Sequence, residues 1–142
     1  MSSLRQALHT LTVATKGRGF TDATAQLTAW LHGVEAKDGL LTVFIRHTSA
    51  SLVVQENADP SVRTDLETAF ARLAPDGDPA FEHDAEGPDD MPAHVRAALT
   101  QTQLSIPVRD GRPQLGTWQA VYVWEHRHAP HRRELALHYL GT

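Results

Sequence analysis

The run Leu40-Leu41-Thr42-Val43-Phe44-Ile45-Arg46-His47 follows an Asp38-Gly39 turn signal and is dense in β-branched and large apolar side chains. It reads as a strand. On a pleated strand Leu41, Val43, Ile45 and His47 share one face, so an apolar row ends on an imidazole. After Thr48-Ser49-Ala50, residues 51–56 (SLVVQE) read as a second strand. Residues 4–14 mix alternation with β-branched side chains and read as another, followed by a turn at Lys16-Gly17-Arg18-Gly19. Three more strands are expected near the end of the chain. They cover 103–109, then 115–127 after Asp110-Gly111, then 133–140 after His128-Ala129-Pro130-His131.

Helices are interspersed. Thr21 or Asp22 caps one that runs to about Leu31, and Gly33 ends it. The best helical pattern is 59–73 (DPSVRTDLETAFARL), with Asp59 as N-cap and Pro60 at the first position. Val62, Leu66, Ala69, Phe70 and Leu73 form a stripe expected to face the core. A shorter helix is expected over about 92–101. Strands dominate and links are short, which implies an α+β domain with a largely antiparallel sheet.

Length and composition set the bounds. At 142 residues the chain fits one domain, taken as 1–142. With no cysteine it has no disulfide and no thiolate metal site. That absence, with no secretory h-region, fits the cytoplasm. The longest apolar runs are strand-sized, so no membrane partner is expected. A net charge of −4 with neutral histidines provides no basic field for nucleic acid. Nine histidines are the oddity, because imidazole is the usual nitrogen ligand and acid–base group near neutral pH.

Four stretches combine polar residues with apolar surroundings. His47-Thr48-Ser49-Ala50-Ser51 sits at the end of the strand quoted first; His47 is either a core-edge histidine bonded to a backbone carbonyl or a functional one. In Glu56-Asn57-Ala58-Asp59-Pro60-Ser61-Val62-Arg63, Asp59 has a capping job, while the helix start with Arg63 one turn in could hold a phosphate. The segment 81–94 (FEHDAEGPDDMPAH) holds His83 and His94 among acidic residues. The acidic residues have two readings: Asp89 and Asp90 complement and cap the start of the next helix, or Asp84 and Glu86 orient histidine ligands. In 115–127 (LGTWQAVYVWEHR), Glu125 ends an apolar face and so needs a cationic or metal partner, such as Arg127, Arg132 or Arg133. If the ends carrying His47 and Glu125 are neighbours, they form a polar pocket. His9, His32, His128, His131 and His138 read as surface or structural.

Taken together these stretches resemble the YjbQ-like family, whose members are often assigned a secondary thiamine-phosphate synthase activity. The likeness runs nearly end to end, through Gly17-Arg18-Gly19-Phe20, His47-Thr48-Ser49-Ala50-Ser51-Leu52, Glu56 to Arg63, His83-Asp84-Ala85-Glu86-Gly87, Asp89-Asp90-Met91-Pro92-Ala93-His94, Gly116-Thr117-Trp118-Gln119 and Glu125-His126-Arg127. Phe81 stands where tyrosine is usual and Ala120 where glycine is frequent; neither is a ligand type. The resemblance implies a largely antiparallel sandwich or barrel with helices packed on it, assembled as a homotrimer. It implies a divalent metal ion, zinc or magnesium, on His47, His83 and His94, with Glu125 and His126 close by as proton-handling groups. Ser49, Asn57, Arg63, Thr117 and Gln119 would hold a phosphorylated small molecule. The implied reaction joins a pyrimidine diphosphate to a thiazole phosphate and releases pyrophosphate. The sequence has no basic, glycine-rich diphosphate cradle, so the alternative is a non-catalytic trimer that binds a metal or metabolite.

Overall fold

The computed structural model describes residues 3–142. Among these, the elements run β1 (Arg5–Ala14), β2 (Gly19–Asp22), α1 (Thr24–Gly33), β3 (Gly39–Ile45), β4 (Ala50–Glu56) and α2 (Pro60–Leu73). They continue α3 (Asp90–Leu99), β5 (Gln103–Arg109), β6 (Arg112–Pro113), β7 (Gln119–Glu125) and β8 (Arg132–Gly141). The expected α+β class is observed, with every strand pair antiparallel. One sheet has the order β1-β8-β3-β5-β6, the other β2-β7-β4.

The strand that opens the sequence reading lies inside the larger sheet, between β8 and β5. Leu41, Val43 and Ile45 point inward and are buried, as period-2 alternation requires. Leu104, Ile106 and Val108 of β5 and Leu135, Leu137 and Tyr139 of β8 repeat the pattern beside it. Leu52, Val121 and Val123 of the smaller sheet and Leu27 and Leu31 of α1 complete one apolar core. Two turns depend on glycine. Asp110 (φ 51°) and Gly111 (φ 75°) both take left-handed backbone at the β5–β6 hairpin, as a two-residue primed turn requires. At Gly39 a Cβ would sit 2.3 Å from the carbonyl oxygen of Leu140, so only glycine lets those strands pair.

The structure corrects several expectations. Thr21 and Asp22 do not occupy the N-cap position of α1, which is Ala23; they lie in β2, paired with Val123 and Tyr122 of β7. α1 starts at Thr24, whose N–H donates to Asp22 Oδ1 at 2.8 Å. The strand expected over 115–127 is shorter, since 115–118 turn before β7 and Gly116 N–H donates to Gln119 Oε1. β6, two residues long, has no pattern of its own in the sequence. α2 begins as expected, with Asp59 Oδ1 accepting from Ser61 N–H at 2.9 Å. Its apolar stripe, however, is not core: no α2 residue is buried and Leu73 is largely exposed. Phe70 instead packs edge-on against Trp124, ring centroids 4.7 Å apart. Periodicity tells which residues share a helix face. It does not tell how deeply that face is covered, and here the two sheets and α1 close the core without α2.

Candidate functional site

Four strand ends meet at one end of the molecule. β3 leaves through Arg46, whose N–H donates to Glu134 O, and Ala50 at the start of β4 pairs with Glu125 at the end of β7. His47 and Glu125 are therefore neighbours across β8, and the two strand ends share a polar side-chain cluster. Arg133 of β8 is its hub. Its Nε donates to Glu125 Oε1 at 2.8 Å, and its Nη2 donates to Glu125 Oε2, Ser49 O and Ser49 Oγ. Glu125 has no exposed surface. It also accepts from Thr15 Oγ1 at 2.7 Å and from the N–H groups of His126 and Arg127. Burial pushes its pKa up, but the bonds from Arg133 and Thr15 outweigh that and hold it below the ordinary range. Glu125 thus finds the cationic partner its position demanded.

The next residue points the other way. His126 is fully buried, with Nε2 2.9 Å from Ser51 Oγ and its ring packed at 5.1 Å from Trp124. Burial first, and then the charge of Arg96, lower its pKa to about 3. Neither Glu125 nor His126 reaches solvent. Their placement makes them supports for the 125–128 corner rather than the proton carriers the resemblance implied.

That corner leads to a second cluster. Arg127 donates through Nε to Asp89 Oδ2 at 3.1 Å and through Nη1 to Asp90 Oδ1 at 2.8 Å. Asp89 Oδ2 also accepts from His128 N–H at 2.8 Å. Asp89 is the residue before α3 yet makes no side-chain cap bond, so the capping expectation gives way to tertiary pairing. Asp90 is the first residue of α3 and its side chain is 3 % exposed. With Oδ1 held by Arg127, its Oδ2 faces two imidazoles: His83 Nε2 at 2.7 Å and His94 Nε2 at 3.4 Å. Burial opposes ionisation of Asp90, but contacts with Glu86 and His83 and the charge of Arg127 keep its pKa low.

One donor atom from each of His83, Asp90 and His94 lies within 4.8 Å of the others. Two borderline nitrogens and one carboxylate oxygen suit zinc better than magnesium, which prefers oxygen throughout. If they held an ion, three protein ligands would leave coordination positions open, the pattern of catalytic rather than structural sites. Arg127 holds the carboxylate's other oxygen and so orients it, the part that outer partners play at metal sites. Glu86 Oε2 stands 3.5 Å from His83 Nε2. The recess beside His83 is only about 30 Å³, room for little more than one water.

Of the three histidines named from the resemblance, the fold brings together His83 and His94 and leaves His47 out. His47 sits with Arg133 and Glu134 in the first cluster, and Asp90 takes the third position. Asp90 and His94 stand four residues apart on one helix face, a spacing visible in the sequence. A helix start set at Pro92 leaves Asp90 outside the helix and hides the pair. The residues expected to hold substrate also divide. Ser49 lies in the Arg133 pocket. Asn57 and the Thr117–Gln119 turn lie at the other end of the β4–β7 pair, where Asn57 N–H donates to Trp118 O. Glu56 pairs with Gln119 six residues along from the Ala50–Glu125 pair, roughly 20 Å away. Arg63 is at that end too, donating to Glu56 O and Tyr122 Oη. A concavity of about 970 Å³, bordered by Thr28, His32, Lys37 and Arg112, lies along α1 and includes none of these groups.

Fold and geometry define a small α+β protein with a two-histidine, one-carboxylate candidate metal centre at the end of a strand pair. The chain belongs to the UPF0047 protein YjbQ-like family, whose model matches residues 9–142. It is 49% identical over 140 residues to a UPF0047 protein of Synechocystis sp., covering 99% of this chain and 95% of that one. It is 45% identical over 129 residues to the UPF0047 protein YjbQ of Escherichia coli O157:H7, covering 89% and 93%. Among solved structures, a conserved hypothetical protein of Thermus thermophilus superposes with TM-score 0.82 at 37% identity, covering 91% of this chain and 97% of that one. A hypothetical protein of Aeropyrum pernix gives 0.86 at 32% identity, covering 96% and 99%.

Proposed function

We propose that the protein is a small metal-dependent enzyme acting on a phosphorylated small molecule, with thiamine-phosphate synthesis as the candidate reaction. The observation that carries this reading is the convergence of His83, Asp90 and His94. A divalent ion held there would supply charge neutralisation at a phosphate or diphosphate oxygen, or an acidified water. The chain's own residues do the rest. Arg127 and Asp89 fix the Asp90 carboxylate, and the Glu125–Arg133 pair anchors the corner from which Arg127 projects.

The same reading takes the chain to a homotrimer. The outer face of the larger sheet supports self-association: Leu8, Leu40, Phe44 and Leu140 are exposed on it, and Leu40 pairs with both Leu140 and Pro107. The small recess at His83 supports it as well, since a neighbouring subunit would supply walls that one chain lacks. Asn57, Arg63, Thr117 and Gln119 would then serve a neighbour's centre. No helix among the described residues is long and apolar enough to cross a membrane. A cytoplasmic setting rests on the cysteine-free composition.

One observation favours the second reading, a non-catalytic trimer that binds a metal or metabolite: Arg127, the cation against the cluster, is already engaged by Asp89 and Asp90. Pyrophosphate release separates the two. Untagged protein, stripped by chelator and reloaded with zinc, should form thiamine phosphate from the pyrimidine diphosphate and thiazole phosphate. His83→Ala should abolish turnover. Tight zinc binding without conversion of these or other phosphorylated compounds would establish the binding module instead.

A further inference from the structure

Beside His47 two hydrogen-bond donors point at the same place. The backbone N–H of Glu134 meets His47 Nε2 at 2.8 Å. An amide N–H can only donate, so Nε2 is the acceptor and carries no proton. Turning the ring over would set a C–H against that N–H and leave it unpaired. In the neutral ring the proton therefore lies on Nδ1. Nδ1 faces Arg133 Nη1 at 3.4 Å. A guanidinium nitrogen has hydrogens and no acceptor capacity. Two N–H groups thus confront each other across that gap, and Arg133 Nη1 has no acceptor among the described residues, whereas its Nε and Nη2 are bonded to Glu125 and Ser49.

The Arg133 side chain is 5 % exposed, so this donor does not simply turn to bulk water, while His47 beside it is half-buried. Burial, and then the Arg133 charge, lower the His47 pKa, which agrees with a neutral ring. Of the nearby carboxylates, Glu125 is wholly engaged inside, and Glu134 is paired outward with Arg46 at 2.9 Å.

We infer that His47 Nδ1–H and Arg133 Nη1–H form an oxyanion seat that takes one oxygen of a phosphate or carboxylate group. One oxygen about 2.9 Å from both nitrogens bonds to both, in the manner of a charge-assisted pair. The seat shares no donor with the His83–Asp90–His94 cluster, and it gives His47 the role of anion donor in place of metal ligand. It deepens the proposed reading by supplying a second anchor for a phosphorylated or carboxylated ligand, but it does not require the metal.

The test uses untagged, chelator-treated protein titrated separately with inorganic phosphate and with acetate, followed by the imidazole nitrogen resonances of His47 and, in every variant, by the guanidinium resonances of Arg133. The free protein should show the Nδ1–H tautomer, and one or both anions should shift it saturably; which anion binds assigns the seat to phosphate or to carboxylate. His47→Phe, which retains the ring volume, should weaken that binding roughly tenfold, the effect of one hydrogen bond. His94→Ala should leave it unchanged, so failure of the metal reading does not imitate failure of the seat. Zinc binding by His47→Phe should match wild type. The inference is overturned if the proton is found on Nε2, if neither anion perturbs His47, if His47→Phe binds anion as wild type does, or if that variant loses zinc.

Discussion

Glu125→Gln is expected to destabilise the protein by about 3–5 kcal/mol, the cost of breaking a buried ion pair from one side. The carboxylate is wholly buried and bonded to Arg133, Thr15 and two backbone N–H groups. Glutamine keeps the shape but leaves the Arg133 guanidinium charged, nearly out of water and uncompensated. Removing both charges has a different outcome. A Glu125→Leu, Arg133→Met double variant should be less destabilised than Glu125→Gln, because hydrophobic replacement of a buried pair is often close to neutral. Denaturant unfolding of the variants measures this. A double variant as unstable as the sum of its two single variants would show that the pair is not coupled as the geometry requires.

Acid should weaken the fold well before its carboxylates titrate. His126 accepts a proton in the unfolded chain below its ordinary value of 6.5, but in the folded protein only near about 3. Above that upper value both states are neutral and the group is silent. As pH falls, the unfolded state gains a proton the folded state refuses, so stability drops by about 1.4 kcal/mol per unit. Between the fully neutral state above about pH 7.5 and pH 5 the loss is about 2 kcal/mol. His47, lowered in the same direction, adds to it. Asp76, Asp89, Asp90 and Glu125 have lowered pKa values and act later. Their contribution is whole above the ordinary carboxylate range and is lost only as pH falls through their folded values. The two windows therefore separate. Urea unfolding at about pH 7, 6 and 5 should show the early slope, and His126→Phe should remove most of it. An unchanged slope in that variant would mean the ring is solvated, against its observed burial.

How much of this is legible in the residues depends on the range of the forces involved. β3 and β5 alternate strictly and have one buried face, so local pattern places them. Asp59 and Pro60 begin α2 by chemistry contained within three residues. β2 is four residues long and exists because Gly19–Asp22 pair with β7, far away in the chain. No local signal announces it. The shallow burial of α2 depends on a core that other elements complete.

The site divides in the same way. Glu125 at the end of an apolar strand face demands a partner, and Arg133 is among the candidates its neighbourhood offers. Asp89 and Asp90, by contrast, invite a capping reading because acidic residues before a helix usually cap it. Their actual partner, Arg127, lies 38 and 37 positions further on. The family likeness gathers three histidines, but β3 carries His47 into the Arg133 pocket while the loop before α3 folds His83 back onto His94. Side-chain identity is readable; which cluster each imidazole joins is set by sheet topology.

Zinc titration of untagged, chelator-stripped protein tests the central claim most directly. Wild type should bind one ion per chain, and His94→Ala should weaken binding by at least about 100-fold, since even an outer partner of a metal site is worth about 10- to 100-fold. Absence of stoichiometric zinc binding in wild type, or equal affinity in the folded His94→Ala variant, would contradict a metal centre built from His83, Asp90 and His94.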